Sequence, residues 1–395
     1  MKRVIGTASM GLRAPIIKKG DDVGKAVIGT IKAAIDNGEI TPRDRDIVGV
    51  TETIVAKGEA NYSGIFDIAK DVATKFSGDE IGILFPILSR NRFAICLRGI
   101  AKPFKKVYLQ LSFPSDEVGN SLVPDFKEAV VDNSSIFTEK EFIEKYGQPK
   151  HPFTGVNYLE YYRNLIKEIG VDVEIIISND PKAITQKVKN VIVATTHTRK
   201  VLTDYLNVEK GVKAISLDMI MTEPIDGSGY NEKYGLLGSN KSTEDMVKLF
   251  PRDAKSFADK LCSELNALTG KNIEVLVYGD GAFKDPQGRI WELADPVVSP
   301  GFTDGLIGTP NELKLKYIVD NELGALDGEE LESAMKDAIS EKDIDLLGSM
   351  ASEGTTPRQY TDLIGSLCDL TSGSGDKGTP IVYIQGYFDN YTTDN

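Results

Sequence analysis

Seven short runs of aliphatic and β-branched residues punctuate this chain, and stretches with helical spacing lie between several of them. The runs are "RDIVGV" (45–50), "EIGIL" (80–84), "KVYLQL" (106–111), "VDVEIIIS" (171–178), "NVIVATT" (190–196), "NIEVLVYG" (272–279) and "IVYIQG" (381–386). Runs of this length and content, bounded by Gly, Pro or charge, read as strands, while "KVYLQL" reads only as an apolar stretch that passes into a turn-like one. Strands alternating with helices restrict the chain to the α/β class, here of mixed α+β character.

The helical stretches carry their own punctuation. In "GDDVGKAVIGTIKAAIDNG" (20–38), Val23, Ala26, Val27, Ile31, Ala34 and Ile35 recur at helical spacing. Asp21 and Asp22 open it, where the helix dipole favours carboxylates, and Gly38 supplies a stop. Strand 45–50 is expected to run into a turn, with a helix around 63–76. "YLEYYRNLIKEIG" (158–170) and "AKSFADKLCSELNALTG" (254–270) are amphipathic helices, and "DPKAITQKVK" (180–189) a helix between strands, giving a local βαβ unit. Residues 321–346 read as a solvated helical face. The last helix is expected at 356–370, with Thr356 as N-cap and Pro357 in first position. The polar end "YFDNYTTDN" is expected to fray.

At 395 residues the chain exceeds what one core usually serves, so two domains or one large insertion are expected. Its 46 basic and 59 acidic residues leave a net charge of −13, which repels nucleic acid and anionic membranes. The opening "MKRVIGTASMGLRAPII" has no continuous apolar core of a signal peptide, and no stretch of about 18 apolar residues follows. Cys96, Cys262 and Cys368 are scattered, which points to free thiols in a reducing cytoplasm. With only His151 and His197, a histidine-centred triad is disfavoured.

The standard phosphate, zinc and nucleophile motifs are missing. What remains is "TSGSGDKGTP" (371–380), a glycine-rich loop directly before a strand. Such a loop reads either as a long turn or as a nest of amides for an anion. Asp280, between glycines after an apolar strand, suits Mg²⁺ or Mn²⁺ or serves simply as a turn residue. Glu292 and Asp295 are weaker candidates of the same kind. Six Lys and Arg residues with no acid between them occupy 90–106, either an anion patch or a solvated face. "TTHTRK" (195–200) offers a polar loop after a strand.

Five ordered blocks carry a resemblance: "APIIKKGDD", "VTETIVAKGEA", "GLLGSN", "LFPRDAKSFADKLCSELNALTGKNIEVLVYGD" and "SGSGDKGTPIVYIQG". In this order they resemble the coenzyme F-420 gamma-glutamyl ligases over roughly residues 10–60 and 233–386. The resemblance implies a mixed α/β core and an intertwined homodimer. It implies a GTP- or ATP-dependent ligase, using Mg²⁺ or Mn²⁺, that joins an amino acid such as glutamate to a small-molecule acid through an acyl phosphate. A nucleotide-binding relative that has lost catalysis is the alternative. On this basis residues 1–60 and 235–395 form the ligase-like core and 61–234 an inserted α/β domain. The implied nucleotide contacts are Ala14, Pro15, Ile16, Ile17, Glu52, Thr53, Lys57 and Asn240, with Gly373, Ser374, Gly375, Lys377 and Gly378 of the loop. The family's metal carboxylate positions carry Leu237, the pair Gly279–Asp280, and Ser374. Asp280 and Asp376 are therefore the implied metal ligands, and Glu52 replaces a small hydroxyl residue.

Overall fold

A computed structural model gives the architecture; it describes residues 4–117, 119–123, 134–151, 154–279, 282–285, 290–293, 298–352, 358–372 and 375–393. The elements in chain order begin β1 (Ala8–Leu12), α1 (Val23–Asp36), β2 (Ile47–Thr51), α2 (Glu52–Gly58), β3 (Tyr62–Gly64) and α3 (Ile65–Lys75). Next come β4 (Glu80–Leu84), α4 (Arg92–Ala101), β5 (Lys106–Leu111), β6 (Phe137–Thr138), α5 (Glu139–Tyr146), α6 (Tyr158–Glu168), β7 (Asp172–Ile177), β8 (Asn190–Val193), α7 (Arg199–Asn207) and β9 (Lys213–Ser216). The chain closes with β10 (Ser239–Lys241), β11 (Met246–Leu249), α8 (Ala254–Thr269), β12 (Glu274–Gly279), β13 (Ala282–Asp285), β14 (Ile290–Leu293), β15 (Val298–Phe302), α9 (Leu315–Asn321), α10 (Gly328–Ser340), α11 (Tyr360–Ser372) and β16 (Ile381–Gln385). The α/β class read from the alternation of runs is the class observed.

Two large sheets organise these elements. The first has the order β1-β16-β2-β12-β15, so strands from both ends of the chain flank the centre. β2 and β12 run parallel, whereas β16 is antiparallel to both β1 and β2. Alternate residues of these strands enter two different cores. Val48, Val50, Val275, Val277, Ile381 and Tyr383 pack against α1 and α8. Ile47, Leu276, Tyr278, Val382 and Ile384 pack against Ile364 and Cys368 of α11. Burial on both faces is why β2 reads as a continuous apolar run. Each fully buried aliphatic side chain contributes about 1.5–3 kcal/mol relative to exposure. α1 starts where the Asp22 carboxylate accepts the Lys25 N–H, and it buries Val23, Val27, Ile31 and Ala34.

The second sheet has the order β6-β7-β5-β4-β8-β9, parallel except for the short edge strand β6. Its five parallel strands reverse direction of travel at β4, the doubly wound pattern. Ile81, Ile83, Val107, Leu109 and Ile175 face α3, α4 and α6, while Leu84, Tyr108, Val191 and Val193 face Leu206 of α7. A small antiparallel sheet, β10-β11-β3, lies between the two, with Val247 and Leu249 in the core of the six-stranded sheet.

Several expectations need correction. The segment after β2 is the helix α2, because Ile54, Val55 and Ala56 find buried positions there. "DPKAITQKVK" yields only a single 3-10 turn, Ile184–Gln186, since Asp180 accepts the Lys182 N–H in a local turn. β7 and β8 are not neighbours; β5 and β4 lie between them, so the βαβ unit is a long crossover. α11 begins at Tyr360 rather than 356, and Thr356 and Pro357 lie outside the described residues. The chain end does not fray at once. Tyr387 and Phe388 pack edge-on against Tyr360, and the Arg45 guanidinium sits 3.9 Å from the Phe388 ring centre.

Candidate functional site

Antiparallel pairing of β16 with β2 places the turn before β16 at the C-terminal end of β2. Two backbone hydrogen bonds fix this meeting: Thr51 N–H donates to Pro380 O at 3.0 Å, and Ala14 N–H donates to Gly378 O at 3.1 Å. The segment 14–20 then leads to α2, where Gly20 N–H donates to Lys57 O at 3.2 Å. Three segments far apart in sequence thus form one continuous rim. Arg13, Lys18 and Lys377 on it are exposed and Lys57 half-buried, and none of the four forms an ion pair with a described residue. Acids are interleaved with these cations: the Asp21 carboxylate accepts the Lys18 N–H at 2.7 Å, and the exposed Asp376 precedes Lys377 in one turn. A groove of about 810 Å³ opens beside it between β1 and α1, lined by Leu12, Arg13, Pro15, Lys25 and Thr30.

Glu52 is the first residue of α2 and only 1 % exposed. Its Oε1 accepts the Thr53 hydroxyl at 2.9 Å and Asn240 Nδ2–H at 3.3 Å, while Oε2 is paired with the Lys248 ammonium. Lys248, 5 % exposed, sits directly across β11 from Asn240 on β10. Gly279 ends β12 beside Glu52, and a side chain there would run into the Glu52 methylenes. The added charge of Glu52 is therefore neutralised within the protein.

The sequence-derived residues divide accordingly. Ala14, Gly378 and Lys57 meet along the rim, Pro15, Ile16 and Ile17 continue it, and Glu52, Thr53 and Asn240 cluster beneath. Ile17 faces the core of the five-stranded sheet, and Ile16 is 88 % exposed. Gly375, Asp376 and Lys377 form one 3-10 turn. Gly373, Ser374, Asp280 and Asp295 lie outside the described residues, as does the Glu292 side chain.

The fit to a divalent ion is poor among the described residues. No group of three His, Cys, Asp or Glu side chains converges there. Leu237 packs in the apolar core beside Val247 and Leu249, and Glu52 is already saturated with donors. No step is therefore assigned to a metal.

The other two candidates are used internally. In the basic run, Arg98 pairs with Asp245, Lys105 with Asp79 and Lys106 with Glu174, and Lys102 lies over the Phe66 ring. In "TTHTRK", the amides of Thr196 and His197 hold the Glu117 carboxylate, and Arg199 pairs with Asp218. Lys248 escaped the sequence reading; its signal is a lone charge inside the apolar run "MVKLF". The cations Arg13 and Lys18, bracketing "APII", were legible but overshadowed by the longer basic run.

No helix among the described residues is long and apolar enough to cross a membrane. No curated protein shows a significant match to the sequence. The family model described as F420-0:gamma-glutamyl ligase matches residues 11–386, a span that includes every segment of the rim. With nearly the whole chain covered, the protein belongs to the F420-0:gamma-glutamyl ligase family.

Proposed function

We propose that this cytoplasmic protein is a GTP- or ATP-dependent ligase that forms an amide between an amino acid, glutamate first among them, and a small-molecule carboxylate. One oxygen of the acceptor carboxylate attacks the terminal phosphorus, and the nucleoside diphosphate leaves with the bridging oxygen. The amine then attacks the acyl carbon, phosphate departs with its C–O electron pair, and the amine gives its proton to solvent. Phosphoryl transfer is mostly positioning and charge neutralisation. Arg13, Lys18, Lys57 and Lys377 supply that neutralisation, and the amides of the 375–378 turn supply donors.

The observation that supports this reading is the meeting of residues 14–20, α2 and the 375–380 turn through the Ala14–Gly378, Thr51–Pro380 and Gly20–Lys57 hydrogen bonds. Calorimetry with GTP and ATP tests it first. Lys57→Ala should weaken binding by about tenfold or more, the worth of a hydrogen bond to a charged group. Unchanged affinity removes Lys57 from the site, and absent binding removes the reading. A phosphate-release assay with glutamate and candidate acids then tests turnover. A second reading, binding without catalysis, is favoured by Leu237 in an apolar core and by the Lys248 partner of Glu52. It predicts nucleotide binding with no phosphate release for any acceptor.

A further inference from the structure

The Glu52–Lys248 pair is almost wholly withdrawn from water. A buried ion pair is not in itself stabilising, because desolvation offsets the attraction. Yet this pair is built with care. Glu52 receives three donors of different kinds, from Lys248, Thr53 and Asn240, and the Gly279 backbone closes against its methylenes. A carboxylate beside a hydroxyl and an amide oxygen offers the kind of oxygen donor that Mg²⁺ or Mn²⁺ takes. Here the positive charge comes instead on a lysine stem from β11.

We propose that the Lys248 ammonium is the resident cation of this site, occupying Glu52 in place of a divalent ion, so that the site is charge-balanced without a metal. This rests on the reading of the rim as an anion-handling site for its purpose, but not for its test. While Lys248 is present, a second cation at Glu52 meets both its repulsion and a carboxylate with no free oxygen. Without Lys248, the uncompensated carboxylate, with the Thr53 hydroxyl and the Asn240 amide oxygen available on rotation, becomes a hard-cation site.

The test is Mn²⁺ uptake by the nucleotide-free protein, read from the loss of the free-ion paramagnetic resonance signal. Wild type, Lys248→Met and the uncharged pair Glu52→Gln/Lys248→Met are compared. Wild type and the double variant should take up Mn²⁺ alike, and Lys248→Met should gain one equivalent that the double variant lacks. The proposal is overturned if wild type binds one equivalent more than the double variant, or if folded Lys248→Met gains none. Should Lys248→Met not fold, an extra equivalent in wild type over the double variant still overturns the proposal. No nucleotide is present, so failure of the ligase reading, seen as absent heat with GTP and ATP, is a separate result.

Discussion

At the scale of single residues, one tight constraint is Gly49 in the middle of β2. A methyl group added there would be driven into Cys368 Sγ on α11. Gly49→Ala should destabilise the fold by ~1–3 kcal/mol, the usual cost of overpacking a filled core. Thermal unfolding measures it, and Cys368→Ala in the same chain should recover part of the loss. The sulfur is also chemically quiet: burial pushes the Cys368 thiol well above its ordinary range. The sequence suggested thiols outside any disulfide, and none of the three cysteines forms one, with Cys96 and Cys368 buried. What it did not reveal was Lys248, because one lysine in an apolar strand looks like an edge residue until its partner 196 positions away is known.

At the scale of elements, legibility followed length and period. α1, α6 and α8 announce themselves through apolar spacing over several turns. α2 does not: seven residues, three of them the β-branched Thr53, Ile54 and Val55, have weak helix propensity, and packing overrides it. Strand pairing was equally hidden, since nothing local tells β7 that β5 rather than β8 lies beside it. Glu174 shows how neighbouring elements are tied. Hydrogen bonds from Lys187 and then from Lys106 hold its carboxyl below the ordinary value of 4.5. The folded state therefore favours the ionised form. The stability this contributes is present above the unfolded-state value and disappears as pH falls through the carboxylate range. Glu174→Gln should accordingly flatten the acid side of the stability profile, as followed by denaturant unfolding between neutral and acid pH. An unchanged acid limb would assign the pair no role in stability.

At the scale of the whole molecule, the two large sheets share no strand, and their apolar cores are distinct clusters. Calorimetric unfolding should therefore resolve two transitions rather than one. Gly49→Ala, confined to the five-stranded sheet, should lower one midpoint and leave the other in place; a single cooperative peak that moves as a unit would refute this. The family blocks at the two ends of the sequence are brought together in the fold, where residue 14 meets residue 378. The joint between the sheets was not legible, because it depends on β3 pairing with β11 and on Asn61, whose amide bonds Tyr230 and Phe250. That joint is also where Glu52 meets Lys248, one from each side. The bond is thus a clasp as well as a counter-charge. An incoming anion that draws the lysine off Glu52 loosens the clasp, so grip on a ligand and rigidity of the joint trade against each other. Amide exchange in β11 should quicken, not slow, when the rim is filled.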